Sequence, residues 1–155
     1  MTVRIARRAT MLVLLCVLAG AVGAAPASAR LSGFKQTFAP INAAIRADGT
    51  AIGNAVQGAS KQSDAQLALT FARLAQRTAN LTARVAKVPS PAQYTPAKLK
   101  LAQSLLAVSR DLLAIAKAAA AHSAPGAKTA TTKLVTDSAK VKTARFALAS
   151  KLGLP

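Results

Sequence analysis

The chain has 155 residues, with 21 Lys and Arg against four Asp and no Glu, a net charge of +17. Trp is absent, aromatics make up 3% and 39 residues are Ala, so the core must be aliphatic; a β-sandwich, whose strands favour Val, Ile, Thr and aromatics, is not expected. Ala and Leu at this density predict an all-α protein with a single domain.

The opening residues read as an address. Arg4, Arg7 and Arg8 precede an uncharged run over 9–25, strongest from Met11 to Leu18, and small residues follow at Ala27-Ser28-Ala29. This is the pattern of a secretory signal peptide. It predicts removal of residues 1–29, with Ala27 and Ala29 at the cleavage site; a cut after Ala25 is the second option. Three alternatives fit less well. The apolar run is short for a membrane anchor. Leu15 before Cys16 departs from a lipoprotein signal, and Ala9-Thr10-Met11 after Arg7-Arg8 departs from a twin-arginine signal. The expected mature domain, 30–155, has no transmembrane span and is secreted or held in the cell envelope. It keeps 18 basic residues against the four Asp, a net charge of +14, and contains neither Cys nor Met.

Segment one runs from about Leu31 to Ser60. Phe34, Phe38, Ile41, Ile45 and Ile52 recur at helical spacing. Pro40 lacks an amide hydrogen, and Asp48-Gly49 falls on the apolar stripe, so a kink or break is expected near Pro40 or Gly49. Segment two, from about Asp64 to Lys87, opens on Ser63-Asp64-Ala65-Gln66, a capping-box pattern. Leu67, Phe71, Leu74, Thr78, Leu81, Val85 and Val88 then alternate at spacings of four and three, the clearest periodicity in the chain. Prolines in Val88–Thr95 extend the linker, and Thr95-Pro96 is a restart signal with Thr95 as the expected cap.

Segment three covers about Pro96 to Ala121. Leu101, Leu105, Val108, Leu112, Ile115 and Ala119 form one stripe, and Leu99, Leu106 and Leu113 a second row well around the helix. The second row suits either a central helix touching several neighbours or an exposed face for self-association, a protein partner or an apolar ligand. Ser123–Gly126 is expected to be a turn. Segment four runs from about Lys128 to Leu152, with Leu134, Val141, Leu148 and Leu152 as its stripe, Val135 and Phe146 beside it, and Gly153 just past its end. Short connections predict an up-down bundle of about four helices.

The cations are ordered. Arg73, Arg77, Arg84 and Lys87 form a row on segment two, and Lys133, Lys140 and Lys151 share a face of segment four. Such faces either solvate the protein or draw it to polyanions, here anionic lipid or wall polymer. Sequence-specific nucleic-acid binding is not expected, because the aromatic platforms it would want are few and mostly lie on core stripes.

Enzyme chemistry lacks its parts. His122 is the single His, in phase with the stripe of segment three at its C-terminal end, where the helix dipole favours it. No metal or cofactor is expected: a zinc site needs three or four ligands, and Asp48, Asp64, Asp111 and Asp137 lie on four different segments. Arg145 and Asp48 interrupt apolar stripes, which places them either at the rim of the core or in a mutual ion pair. The expectation is a non-enzymatic exported helical protein that binds anionic envelope components through basic helix faces. The alternative is a structural or interaction protein that uses Leu99, Leu106 and Leu113, as a homo-oligomer or with a partner.

Overall fold

A computed structural model describes residues 27–155, and the greater part of the signal-peptide segment, 1–26, lies outside them. Four helices follow one another: α1 (Ala27–Gln57), α2 (Asp64–Lys87), α3 (Thr95–Ala120) and α4 (Ala124–Lys151), with 3-10 turns at Ala59–Lys61 and Ala92–Tyr94. No strand occurs among the described residues.

The core forms two aliphatic clusters. In the first, Phe34, Phe38, Ile41 and Ile45 of α1 meet Leu81 and Val85 of α2, Leu101 and Leu105 of α3, and Leu148 and Leu152 at the end of α4. In the second, Ile52 of α1 meets Phe71 and Leu74, Val108, Leu112 and Ile115, and Ala130 and Leu134 at the start of α4. Early α1 therefore lies beside late α2, early α3 and late α4, so successive helices alternate in direction. The tightest pairs are α2–α3 and α3–α4; α1 packs more sparsely.

Each helix end has a local cause. Ser63 Oγ accepts from the Gln66 amide at 3.3 Å while Gln66 Oε1 accepts from the Ser63 amide at 3.1 Å, the reciprocal cap expected from the sequence. At the end of α4, Gly153 takes φ +60°; its amide donates to Ser150 and that of Leu154 to Ala149, a left-handed cap suited to glycine.

Three expectations change. α1 runs unbroken through Pro40 and Gly49. A proline costs roughly 3 kcal/mol in a helix interior, but the rings of Phe34 and Phe38 and the side chains of Ile41 and Ile45 on either side are all at most 4% exposed, and their burial offsets it. Thr95 is inside α3 rather than its cap; its hydroxyl turns back to the linker, 3.1 Å from Ser90 Oγ. Helix α4 begins four residues early, so Pro125 and Gly126 belong to its first turn. Ser123 caps it by accepting from the Gly126 amide at 3.3 Å, and a Cβ on Gly126 would stand 2.9 Å from that same hydroxyl.

Val135 and Phe146 leave the core as well: both are 65% exposed, on the outer flank of α4. Leu148, by contrast, is fully enclosed where the α1, α2 and α3 stripes converge. Leu148→Ala is expected to lower stability by about 2–5 kcal/mol in chemical denaturation while leaving the helical circular-dichroism signature intact.

Candidate functional site

The basic row of α2 faces α1. Arg73, Arg77 and Arg84 line a groove of about 420 Å³ together with Gln76, Asn80 and Leu81 of α2 and Ala44 of α1. Helical spacing brings the three guanidinium groups to one flank, and small Ala44 keeps the opposite wall open. Gln76 Nε2 donates to Asn80 Oδ1 at 3.2 Å, which sets two amides between the arginines. Lys87, one turn beyond Arg84, is exposed outside this lining.

One of the three arginines is already engaged. Asp48 is 2% exposed, in the interior and not at its rim. Thr78 donates to its Oδ2 at 2.7 Å, and Arg77 Nε stands 2.9 Å from Oδ1. That Arg77 contact is a charge contact without hydrogen-bond alignment, so Oδ1 is held by attraction alone. Burial pushes the Asp48 carboxyl above its ordinary value, against the pull of the Thr78 hydrogen bond and the Arg77 charge. The suggested Asp48–Arg145 pair does not form. Arg145 donates instead to Asn42 Oδ1 at 3.1 Å, and Asn42 donates to the Pro155 main-chain oxygen at 3.0 Å, tying α4 and the chain's last residue to α1.

The second basic row meets acids. Asp111 of α3 is buried, and the charge of Asp137 on α4 acts on it. Lys140 donates to Asp137 at 2.8 Å, and the charge of Lys133 also acts on both acids. Burial, and then the neighbouring Asp137 charge, raise the Asp111 carboxyl, while the Lys140 hydrogen bond holds Asp137 low. Two of the four Asp therefore converge across the α3–α4 seam, which their separate segments concealed. Lys133 and Lys140 serve this pair in part. Lys151 is exposed at the end of α4, and the two basic rows do not share a groove.

The leucine row faces solvent. Leu99, Leu106 and Leu113 are 48%, 38% and 43% exposed, opposite the stripe that α3 turns to the core. A buried lysine had no counterpart in the sequence argument. Lys98 donates to the main-chain oxygens of Val88 at 2.8 Å and Ala86 at 3.3 Å, closing the C-terminal end of α2. Its spacing of four from Ala102 and of eleven from Ser109 was the available signal, since both are buried on that flank, where Ser109 donates to the Ala75 oxygen at 2.8 Å.

His122 sits past the end of α3, not on its stripe. Its φ is +50°; its amide donates to Ala119 and that of Ser123 to Ala118, so it occupies the left-handed position that glycine fills after α4. A side chain in that conformation costs about 1–2 kcal/mol. The exposed imidazole reaches Asp64 at the start of α2, with Nδ1 2.6 Å from Oδ2. Ser123, next to it, caps α4. His122 and Asp64 stand at the mouth of an apolar cleft of about 250 Å³.

No group of three or more metal-ligating side chains occurs among the described residues, and no helix among them is long and apolar enough to cross a membrane. The chain matches no protein-family model, no curated protein and no solved structure.

Two variants probe these contacts. Arg77→Ala is expected to destabilise the fold by about 1–3 kcal/mol, between the contributions of exposed and buried pairs, because it strands the Asp48 carboxylate; denaturation midpoints measure this. Asp111 has its folded value raised above its unfolded one, so its contribution to stability is full below the unfolded value and is lost as pH rises through the folded value. Asp111→Asn should therefore be more stable than the parent near pH 7, with the gap closing as pH falls through the raised folded value and closed below the unfolded carboxylate pKa of about 3.9. Urea midpoints across that range give the comparison.

Proposed function

We propose that the protein is exported by its first 29 residues and binds phosphate- or carboxylate-bearing envelope components through the α1–α2 groove. The observation that carries this is the convergence of Arg73 and Arg84, with Arg77 between them, on one groove with two amide side chains. Guanidinium groups favour such ligands because they offer paired donors in a plane. Arg77 is held by Asp48 and contributes mainly shape, so Arg73 and Arg84 are the principal cations. Lys87 extends the field, and the mature charge of +14 brings the anionic surface within range.

Cosedimentation with phosphatidylglycerol vesicles, and separately with isolated wall fragments, distinguishes lipid from polymer as the source of the anion. Each cation near an anionic surface contributes about 1 kcal/mol, so Arg73→Gln/Arg84→Gln is expected to weaken retention roughly thirty-fold at low salt. The charge-matched Lys133→Gln/Lys140→Gln should lose far less. Equal losses in the two variants would assign binding to net charge and remove the groove from the account. So would retention that is indifferent to salt.

A second role rests on the exposure of Leu99, Leu106 and Leu113. Their two-turn spacing makes a straight apolar row about 21 Å long from first to last, suited to pairing with the same row on a second copy. Light scattering should then show a dimer that Leu106→Asp converts to a folded monomer. A parent that is monomeric at every concentration removes this role.

A further inference from the structure

We infer that the cleft between the α1–α2 turn and the α3–α4 turn binds a small apolar molecule bearing one hydroxyl group, such as an alkylphenol. The cleft encloses about 250 Å³. Its walls come from all four helices or their ends: Val56, Leu67, Phe71, Ile115, Ala119 and Ala127. An apolar cavity of about 150 Å³ holds benzene, so this volume accommodates roughly ten non-hydrogen atoms by the same proportion. The alanines contributed by α3 and α4 keep the space open where larger side chains would close it.

The mouth specifies the head group. Asp64 and His122 stand on opposite sides of the cleft, and their 2.6 Å contact closes one edge. An ionised carboxylate only accepts, so Nδ1 carries the proton in this contact and Nε2 is the ring atom left for a ligand. In the neutral ring Nε2 accepts a hydrogen bond; in the charged ring it donates one. A hydroxyl serves both, because it is donor and acceptor at once. A carboxylate head would meet the Asp64 charge and, with the neutral ring, two acceptors. His122 is also held in a backbone conformation that glycine adopts without strain. The fold would close α3 as well or better with glycine there, so the position retains its imidazole at a cost to stability. Binding at the mouth supplies a reason for it. The cleft shares no residue with the arginine groove, so either site can fail without the other.

The test uses the chain from Arg30 onward, labelled at its methyl groups. Titration with 4-propylphenol is expected to shift the Leu67 and Ile115 methyl signals together with the His122 ring signal. His122→Gly removes the imidazole while relaxing the backbone, so it should fold and should weaken 4-propylphenol about five-fold, the effect of one hydrogen bond. The same variant should leave propylbenzene unchanged. Ala127→Leu fills the cleft and should weaken both compounds about ten-fold or more. Three results would overturn the inference: no methyl shift up to the solubility limit of the phenol, equal phenol affinity in the parent and His122→Gly, or tighter binding of 4-propylbenzoate than of 4-propylphenol.

Discussion

The stripe of Leu101, Leu105, Val108, Leu112, Ile115 and Ala119 on α3 is the constraint on which the fold depends. It is the continuous contact surface from one end of the bundle to the other, contributing Leu101 and Leu105 to the first core cluster and Val108, Leu112 and Ile115 to the second. With so few aromatic residues and so many alanines, burial per residue is small. A bundle built this way holds together only if one helix touches the others along its whole length. Helix α3 does so, with α2 and α4 on its two flanks. Helix α1 joins through larger side chains at fewer points, and Phe34 makes up part of the difference by packing against Tyr94 of the linker with ring centroids 5.7 Å apart.

The polar groups buried at the seams are placed by this arrangement. Asp48 lies between α1 and α2, Lys98 between α3 and the end of α2, and Asp111 between α3 and α4. Asp48 is met by Thr78 and Arg77 and Lys98 by two main-chain oxygens, whereas Asp111 faces a second carboxylate, Asp137, and its Oδ2 has no hydrogen-bond partner among the described residues. An alanine-rich interior slides easily because its surface is smooth, and a mispaired charge costs far more than a misplaced methyl. Sliding one helix past another would break the Asp48–Thr78 and Lys98 contacts, a cost the small side chains do not impose.

Local signals were legible and cross-chain ones were not. The capping box at Ser63 and Gln66, the bounds of α2 and the glycine cap at Gly153 depend on residues within one turn, and the spacing of residue types reveals them. Pro125 and Gly126 usually mark a turn, so the sequence suggests a later start for α4, whereas a proline in a first turn gives up no hydrogen bond. His122 was in phase with the α3 stripe by counting, but the chain leaves the helix one residue earlier. Of the candidate cations, periodicity placed Arg73, Arg77 and Arg84 on one flank. It carried no information that Asp48, thirty residues before Thr78, would take up Arg77. The Asp111–Asp137 pair was hidden for the same reason.

The placement of the four acids shapes the electrostatics of the whole molecule. Asp48 holds Arg77, Asp64 holds His122, and Asp137 holds Lys140 while facing Asp111. Every acid is therefore engaged in an internal contact that joins two helices or supports one that does. None is left to neutralise Arg73, Arg84 or Lys87; the acids offset Arg77 on the α1–α2 side and Lys140 on the α3–α4 side. The cations are consequently unevenly offset: two acids stand by Lys133 and Lys140, while the α1–α2 side holds one, Asp48, which is taken up by Arg77. Arg73 and Arg84 thus remain without an acid on the flank where the groove is formed. The same few acids that lie at the helix seams thus decide which cations of the two rows are paired.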